Sequence, residues 1–164
     1  MPSTGKLALT AAATLAVSML TITPALAETG GGHRHEGHDL IRADLVGSTP
    51  APVSRTIAGV KPGGAPWVNG PSSARIGENG SVVVSIHGLV IPPAGVNPVR
   101  SVVATLVCDG VVATSTSPFA LSAAGDGAVS DTIAVPNDCD DPVVLIQPAG
   151  NRTVYIASTV DEDD

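Results

Sequence analysis

Three histidines and two acids crowd one short stretch: His33, His35 and His38, with Glu36 and Asp39 among them. Imidazole suits copper, zinc and nickel alike. The His-x-His-x-x-His spacing lets the three rings reach one ion if the chain is flexible. From Glu28 to Asp39 there is almost no apolar residue to bury, so the stretch reads as a flexible tail. No rigid frame orients the rings, and ions held there would be weakly bound and poorly selected. A linker with no resident cofactor accounts for the same residues.

The two cysteines, Cys108 and Cys139, are the other reactive side chains. A redox pair usually uses Cys-x-x-Cys spacing, which is absent. Two cysteines in an exported chain normally pair. The expectation is a structural disulfide, with loop closure destabilising the unfolded chain by about 3–4 kcal/mol.

No catalytic constellation stands out. His87 precedes Gly88 on the less apolar face of a strand-like run, with no partner that would make it a general base. The chain has no Gly-x-Ser-x-Gly elbow, His-Glu-x-x-His or phosphate loop. Asp126, Asp131 and the Asp138, Asp140, Asp141 cluster have the chemistry for acid–base pairs or calcium, but turn and loop solvation explains them more cheaply. Asn151-Arg152-Thr153 matches a glycosylation acceptor, a triplet common by chance. The chain therefore reads as a non-enzyme.

The elements that position these residues begin after a leader. Residues 1–27 combine Lys6, an apolar stretch from Leu7 to Leu20 and an Ala25-Leu26-Ala27 exit. That is the grammar of a cleaved secretory signal peptide. A spanning helix needs about 20 apolar residues, and Thr and Ser interrupt this run. The expected product is secreted and extracellular, with no membrane insertion after cleavage. Its parts are a His/Gly-rich tail over 28–39, one domain over 40–160 and an acidic tail over 161–164.

Losing Lys6 leaves seven basic side chains against 15 acids, a net charge of −8. Such a chain is a poor partner for nucleic acid, where phosphate contacts supply most affinity. Aromatics are limited to Trp67, Phe119 and Tyr155, which argues against stacking platforms for bases. The same scarcity argues against aromatic sugar-binding faces. Trp67 lies in a Pro/Gly-rich loop and reads as a plug on the core, with a ligand contact as the alternative. The expected partner is an unidentified protein or envelope component.

Strand signals dominate the domain. Leu40–Val46 alternates, and Val53–Val60 is a weaker candidate. Lys61–Ser73 reads mostly as loop. Ala74–Ile76 and Ser81–Leu89 flank Asn79-Gly80, a strong hairpin signal. Arg100–Cys108 is apolar on both faces and reads as a central strand. Asp109-Gly110 returns the chain through Val111–Thr114. Pro118–Leu121 is short. Gly125-Asp126-Gly127 turns into Ala128–Val135. Val143–Ile146 and Thr153–Ser158 close the domain. Seven to nine short strands without a helix predict an all-β, antiparallel, immunoglobulin-like β-sandwich.

Several local patterns resemble one group of proteins: Pro66-Trp67-Val68, Gly88 to Pro92, Asn97-Pro98-Val99, Ala104 to Cys108, Leu121 to Asp126, Pro136 to Cys139, and Pro142 to Ile146. Over residues 40–160 the chain resembles small secreted, disulfide-containing proteins of unassigned function from actinobacteria and similar GC-rich bacteria. The resemblance implies export and a disulfide-linked β domain. It brings no activity, and the His-rich tail is outside it.

Overall fold

The computed structural model describes residues 38–160. Among them the chain forms β1 (Asp39–Asp44), β2 (Val46–Gly47), β3 (Lys61–Pro62), β4 (Ser73–Gly77), β5 (Ser81–Ile86) and β6 (Ser101–Cys108). It continues through β7 (Val111–Ser115), β8 (Phe119–Ala120), β9 (Gly127–Thr132), β10 (Val143–Pro148), β11 (Val154–Tyr155) and β12 (Ala157–Ser158). No helix occurs among these residues. The leader, most of the His-rich tail and the acidic tail lie outside them.

One sheet has the order β1-β4-β5-β9, and the other β2-β12-β10-β6-β7, with β8 also on β6. Every pair in both is antiparallel. A third, two-stranded pairing joins β11 to β3 in parallel. Five of the twelve strands have two residues, which leaves seven longer ones, in keeping with the seven to nine expected.

Strand β6 is the centre. Val102 to Val107 are all buried because both edges of β6 are paired and both faces are covered. Its Val102, Ala104 and Leu106 join Val144 and Ile146 of β10 in one apolar cluster with Ile76, Val82, Val84 and Ile86 of the first sheet. Fully burying a Val, Leu or Ile side chain stabilises the fold by about 1.5–3 kcal/mol, so this shared cluster is the main source of stability. Trp67 belongs to it at 6% exposure, as a plug.

The opposite face of β6 has its own cover. Val107, Leu145 and Tyr155 pack under Ile57 and Val60 in a second cluster. A buried polar chain crosses this face. Thr105 Oγ1 donates to Gln147 Oε1 at 2.5 Å, and Gln147 Nε2 donates to the Arg152 carbonyl at 2.7 Å. Ser115 Oγ lies 2.8 Å from Thr105 Oγ1.

The hairpins form where expected. Gly80 N donates to Gly77 O at 2.8 Å between β4 and β5. Asp109 and Gly110 have φ of 53° and 72° between β6 and β7, as a type I′ turn requires.

Two runs that alternate smoothly in sequence are split. Leu40–Val46 breaks at Leu45: β1 joins one sheet and β2 the other, and Leu45 drops into the core at 3% exposure. Asn69 stabilises the crossing, since its Nδ2 donates to Leu45 O at 2.8 Å and its Oδ1 accepts from Gly47 N at 2.6 Å. Thr153–Ser158 breaks at Ile156, where the chain passes from β11 to β12. Ile156 N donates to Ile146 O at 2.8 Å, and Ile156 O accepts from Ser48 N at 3.0 Å.

Val53–Val60 forms no strand. Ile57 and Val60 exchange two backbone hydrogen bonds around Ala58 and Gly59, whose φ values are 49° and 79°. That tight reversal turns Ile57 and Val60 down onto the sheet. Within the expected loop from Lys61 to Ser73, Lys61–Pro62 adds the short parallel pairing as β3.

Candidate functional site

The side chains that fold together most suggestively come from three separate stretches. Val46, Gly47, Ser48, Val53, Ser54, Arg55, Ile57, Tyr155, Ser158 and Val160 line a hollow of about 210 Å³. Its floor is the β2–β12 edge, and its wall is the segment from Ser48 to Ile57. Long segments without strands or helices in a compact domain are commonly functional.

The wall is held in place by specific bonds. Thr49 N donates to Ser54 Oγ at 2.8 Å. Val53 N donates to Pro50 O at 3.2 Å, closing a turn. Tyr155 OH donates to Arg55 O at 2.7 Å. Gly47 is needed beneath it: a Cβ there would collide with the Trp67 carbonyl. The hollow is thus built from a fixed backbone.

Its chemistry is mixed. Val46, Val53, Ile57 and Val160 supply apolar surface. Among the described residues, Arg55 is the only charged one of the lining. Ser48 Oγ donates to Tyr155 O at 3.1 Å and Ser158 Oγ to Val160 O at 3.2 Å. With their hydrogens directed at those carbonyls, both hydroxyl oxygens present lone pairs. No sequence motif marks this site; the one signal is the Pro-containing break from Gly47 to Pro52.

Cys108 and Cys139 are bonded, with Cα atoms 4.9 Å apart. No free cysteine is found among the described residues. The bond fastens the acidic loop to the end of β6, helped by Asp109 N donating to Asp140 O at 3.0 Å.

Of the proposed metal ligands, His33 and His35 lie outside the described residues. His38 is exposed, and its carbonyl accepts from Glu78 N at 2.9 Å. Glu78 shares a surface hollow with Asp138 and Asp140. Among the described residues no group of three His, Cys, Asp or Glu side chains is placed to hold a metal.

His87 has one partner close in sequence and one far from it. Ser85 Oγ lies 3.1 Å from His87 Nε2, and Asp126 Oδ1 lies 3.9 Å from His87 Nδ1. The β5–β9 register, with Ile86 opposite Gly127, brings Asp126 alongside. The hydroxyl–imidazole–carboxylate order resembles nucleophilic machinery, but the imidazole is 61% exposed. The two neighbouring glycine amides are engaged: Gly70 N donates to His87 O, and Gly88 N to Asp126 Oδ1. Neither is left to hold an oxyanion, usually the largest catalytic contribution in acyl transfer.

Asp131 accepts from Ser117 N and from Thr132 N, each at 2.8 Å. Those bonds, the one from Ser117 foremost, hold its carboxyl below the usual range. It bridges β9 to the segment after β7, a structural role. Asn151 Oδ1 accepts from Thr153 N and Oγ1 within a turn. No described helix is long and apolar enough to cross a membrane. No protein-family model, curated protein or solved structure matches the chain.

Proposed function

We propose that the chain is an exported, non-enzymatic binding or cell-envelope interaction module built on an immunoglobulin-like β-sandwich. The observation that carries this reading is the hollow beside Arg55, formed by a long segment that three hydrogen bonds to Tyr155 and Ile156 and the second apolar cluster hold against the sheet. The apolar cluster shared by the two sheets supports the sandwich. The signal-like leader and the Cys108–Cys139 bond support secretion. The solvated setting of His87 supports a non-enzyme, and the acidic balance disfavours nucleic acid.

Capture from culture and envelope fractions tests the reading. The wild-type protein should retain a partner that a Val53→Glu variant, altered at the rim of the hollow, does not. Equal capture by both, or none by either, would count against the hollow as the binding site. N-terminal sequencing of the secreted protein should begin at Glu28; an intact Met1 form confined to the cytoplasm would remove the localisation.

A second reading makes the chain an extracytoplasmic metal-binding protein through His33, His35 and His38. The His-x-His-x-x-His spacing motivates it. Titration of copper, nickel and zinc into the full chain and into a chain lacking residues 28–37 separates the two readings. Saturable binding lost with the tail supports the metal reading, and equal binding by both refutes it.

A further inference from the structure

We infer that β7 is a pairing edge whose occupant is β7 of a second copy of this chain, joined antiparallel about a two-fold axis. This goes beyond the binding-module reading and does not depend on the hollow.

A sheet edge presents unpaired N–H and C=O groups, and natural chains guard such edges with charge, proline, brevity or cover. Four strands end the two large sheets: β1, β9, β2 and β7. The first three are guarded. β1 carries Asp39, Arg42 and Asp44. β9 runs against the segment leading into β8, whose Ser117 N donates to Asp131 Oδ2 at 2.8 Å. β2 has two residues, and its Gly47 N–H is taken by Asn69 Oδ1.

β7 differs. Val111-Val112-Ala113-Thr114-Ser115 holds no charge and no proline. Val111 is 65% exposed and Val112 44%. Among the described residues, the backbone of this strand makes hydrogen bonds to β6 alone. Its one guard is a bulge where β6 passes from Leu106 to Val107, which twists the strand without charging it. Valine and threonine at such an edge favour a further strand beside them.

The charge distribution selects the occupant. The chain has 15 acidic side chains against 8 basic ones, so two copies repel unless they meet through an uncharged face. Gly110 to Gly125 is such a run. A charged foreign strand finds no counter-charge on β7, whereas a copy of β7 has no charge to match. Acids do gather at one end of the strand: Asp109 in its turn, and Asp138, Asp140 and Asp141 on the loop that Cys139 fastens to the end of β6. Antiparallel pairing carries the two acidic groups to opposite ends of a strand about 17 Å long, roughly twice the screening length at physiological salt. Parallel pairing would set them side by side.

The axis stands perpendicular to the sheet, and the pairing uses up both open edges. Such an isologous contact closes at two copies, and the guarded β2 at the far edge does not extend it. So short a strand gives an interface in the class below about 1,200 Å² that transient pairs occupy, so the dimer is reversible. On the binding-module reading, it carries two hollows at the outer β2 edges of one shared sheet, a bivalent arrangement.

The test is sedimentation of the protein expressed from the full chain between about 1 µM and 1 mM, with amide hydrogen exchange at both limits. The mass should pass from monomer to dimer, exchange over Val112–Ser115 should slow in the dimer, and added salt should tighten the pairing by screening the repulsion. Val111→Lys places a charge on the edge and should weaken association about ten-fold or more, while the dilute variant melts with wild type. Val83→Lys, at a side chain 50% exposed in the other sheet, should leave association unchanged.

A monomer at every concentration would overturn the inference. So would association that Val111→Lys leaves intact, association that Val83→Lys abolishes, or exchange over β7 that dimer formation does not slow. Growth beyond the dimer would overturn the closed two-fold pairing. A lasting monomer whose Val111→Lys variant loses partner capture would assign the edge to a foreign strand and overturn self-pairing. If the dimer fails while Val53→Glu still abolishes capture, the binding-module reading stands without it.

Discussion

The phenol of Tyr155 donates to the carbonyl of Arg55 at 2.7 Å across a sequence separation of 100 residues. Tyr155 belongs to the second apolar cluster, and Arg55 belongs to the wall of the hollow. One hydrogen bond thus couples the packed sheet face to the proposed site. Tyr155→Phe keeps the apolar ring and removes the donor. It should cost about 0.5–1.5 kcal/mol in urea unfolding and weaken partner binding through a looser wall. Unchanged binding with the expected loss of stability would show that the wall holds without this bond.

The disulfide closes a loop with a separation of 31 residues. Cys108→Ala with Cys139→Ala should destabilise the fold by about 2–5 kcal/mol, a large share of the 5–15 kcal/mol typical of a domain. Thiol counting under denaturing conditions should find no free cysteine in the exported protein. A melting temperature unaffected by loss of the bond would show that it restrains nothing.

Thr105 and Gln147 meet on a face where both are buried. Thr105→Val leaves the Gln147 carbonyl oxygen without that donor and should cost about 1–3 kcal/mol. Adding Gln147→Leu should recover part of the loss, because the buried polar group is then gone. Strict additivity in the double-mutant cycle would rule out coupling between the two.

Asp131 gives the fold a pH dependence of known sign. Its carboxyl titrates below the ordinary carboxylate value because Ser117 and Thr132 donate to it. A group with a depressed folded pKa adds stability above its unfolded pKa, near pH 4, and loses that contribution as pH falls through the folded value. Asp131→Asn should therefore melt below wild type at pH 7, with the gap narrowing below about pH 4. A gap constant over that range would exclude the ionised carboxylate as its source.

How far these features can be read from the sequence depends on how local their causes are. Asn79-Gly80 and Asp109-Gly110 are legible because turn chemistry acts within four residues. The burial of Val102–Cys108 on both faces is legible because both alternating sets are mostly apolar. Cys108 and Cys139 have only each other. The breaks at Leu45 and Ile156 are not legible, since alternation runs through both without a Gly or Pro. The Leu45 crossing is instead fixed by Asn69, 24 positions from Leu45. Ser85 is readable as a same-face neighbour of His87 two positions away; Asp126 arrives only through the β5–β9 register. The hollow is the least legible feature, because Tyr155, Ser158 and Val160 join residues 46–57 from about 100 positions away, through the β2–β12 pairing.

The crossings at Leu45 and Ile156 also govern how the molecule comes apart. Each carries a single run of chain out of one sheet pairing and into another, and the emerging strands, β2 and β12, pair with each other. Because the Leu45 crossing joins β1 of one large sheet to β2 of the other, separating those sheets strains that crossing and exposes the cluster between them. Amides of Val82 in one sheet and Val144 in the other should then exchange their hydrogens with solvent through one common opening, at the free energy of global unfolding.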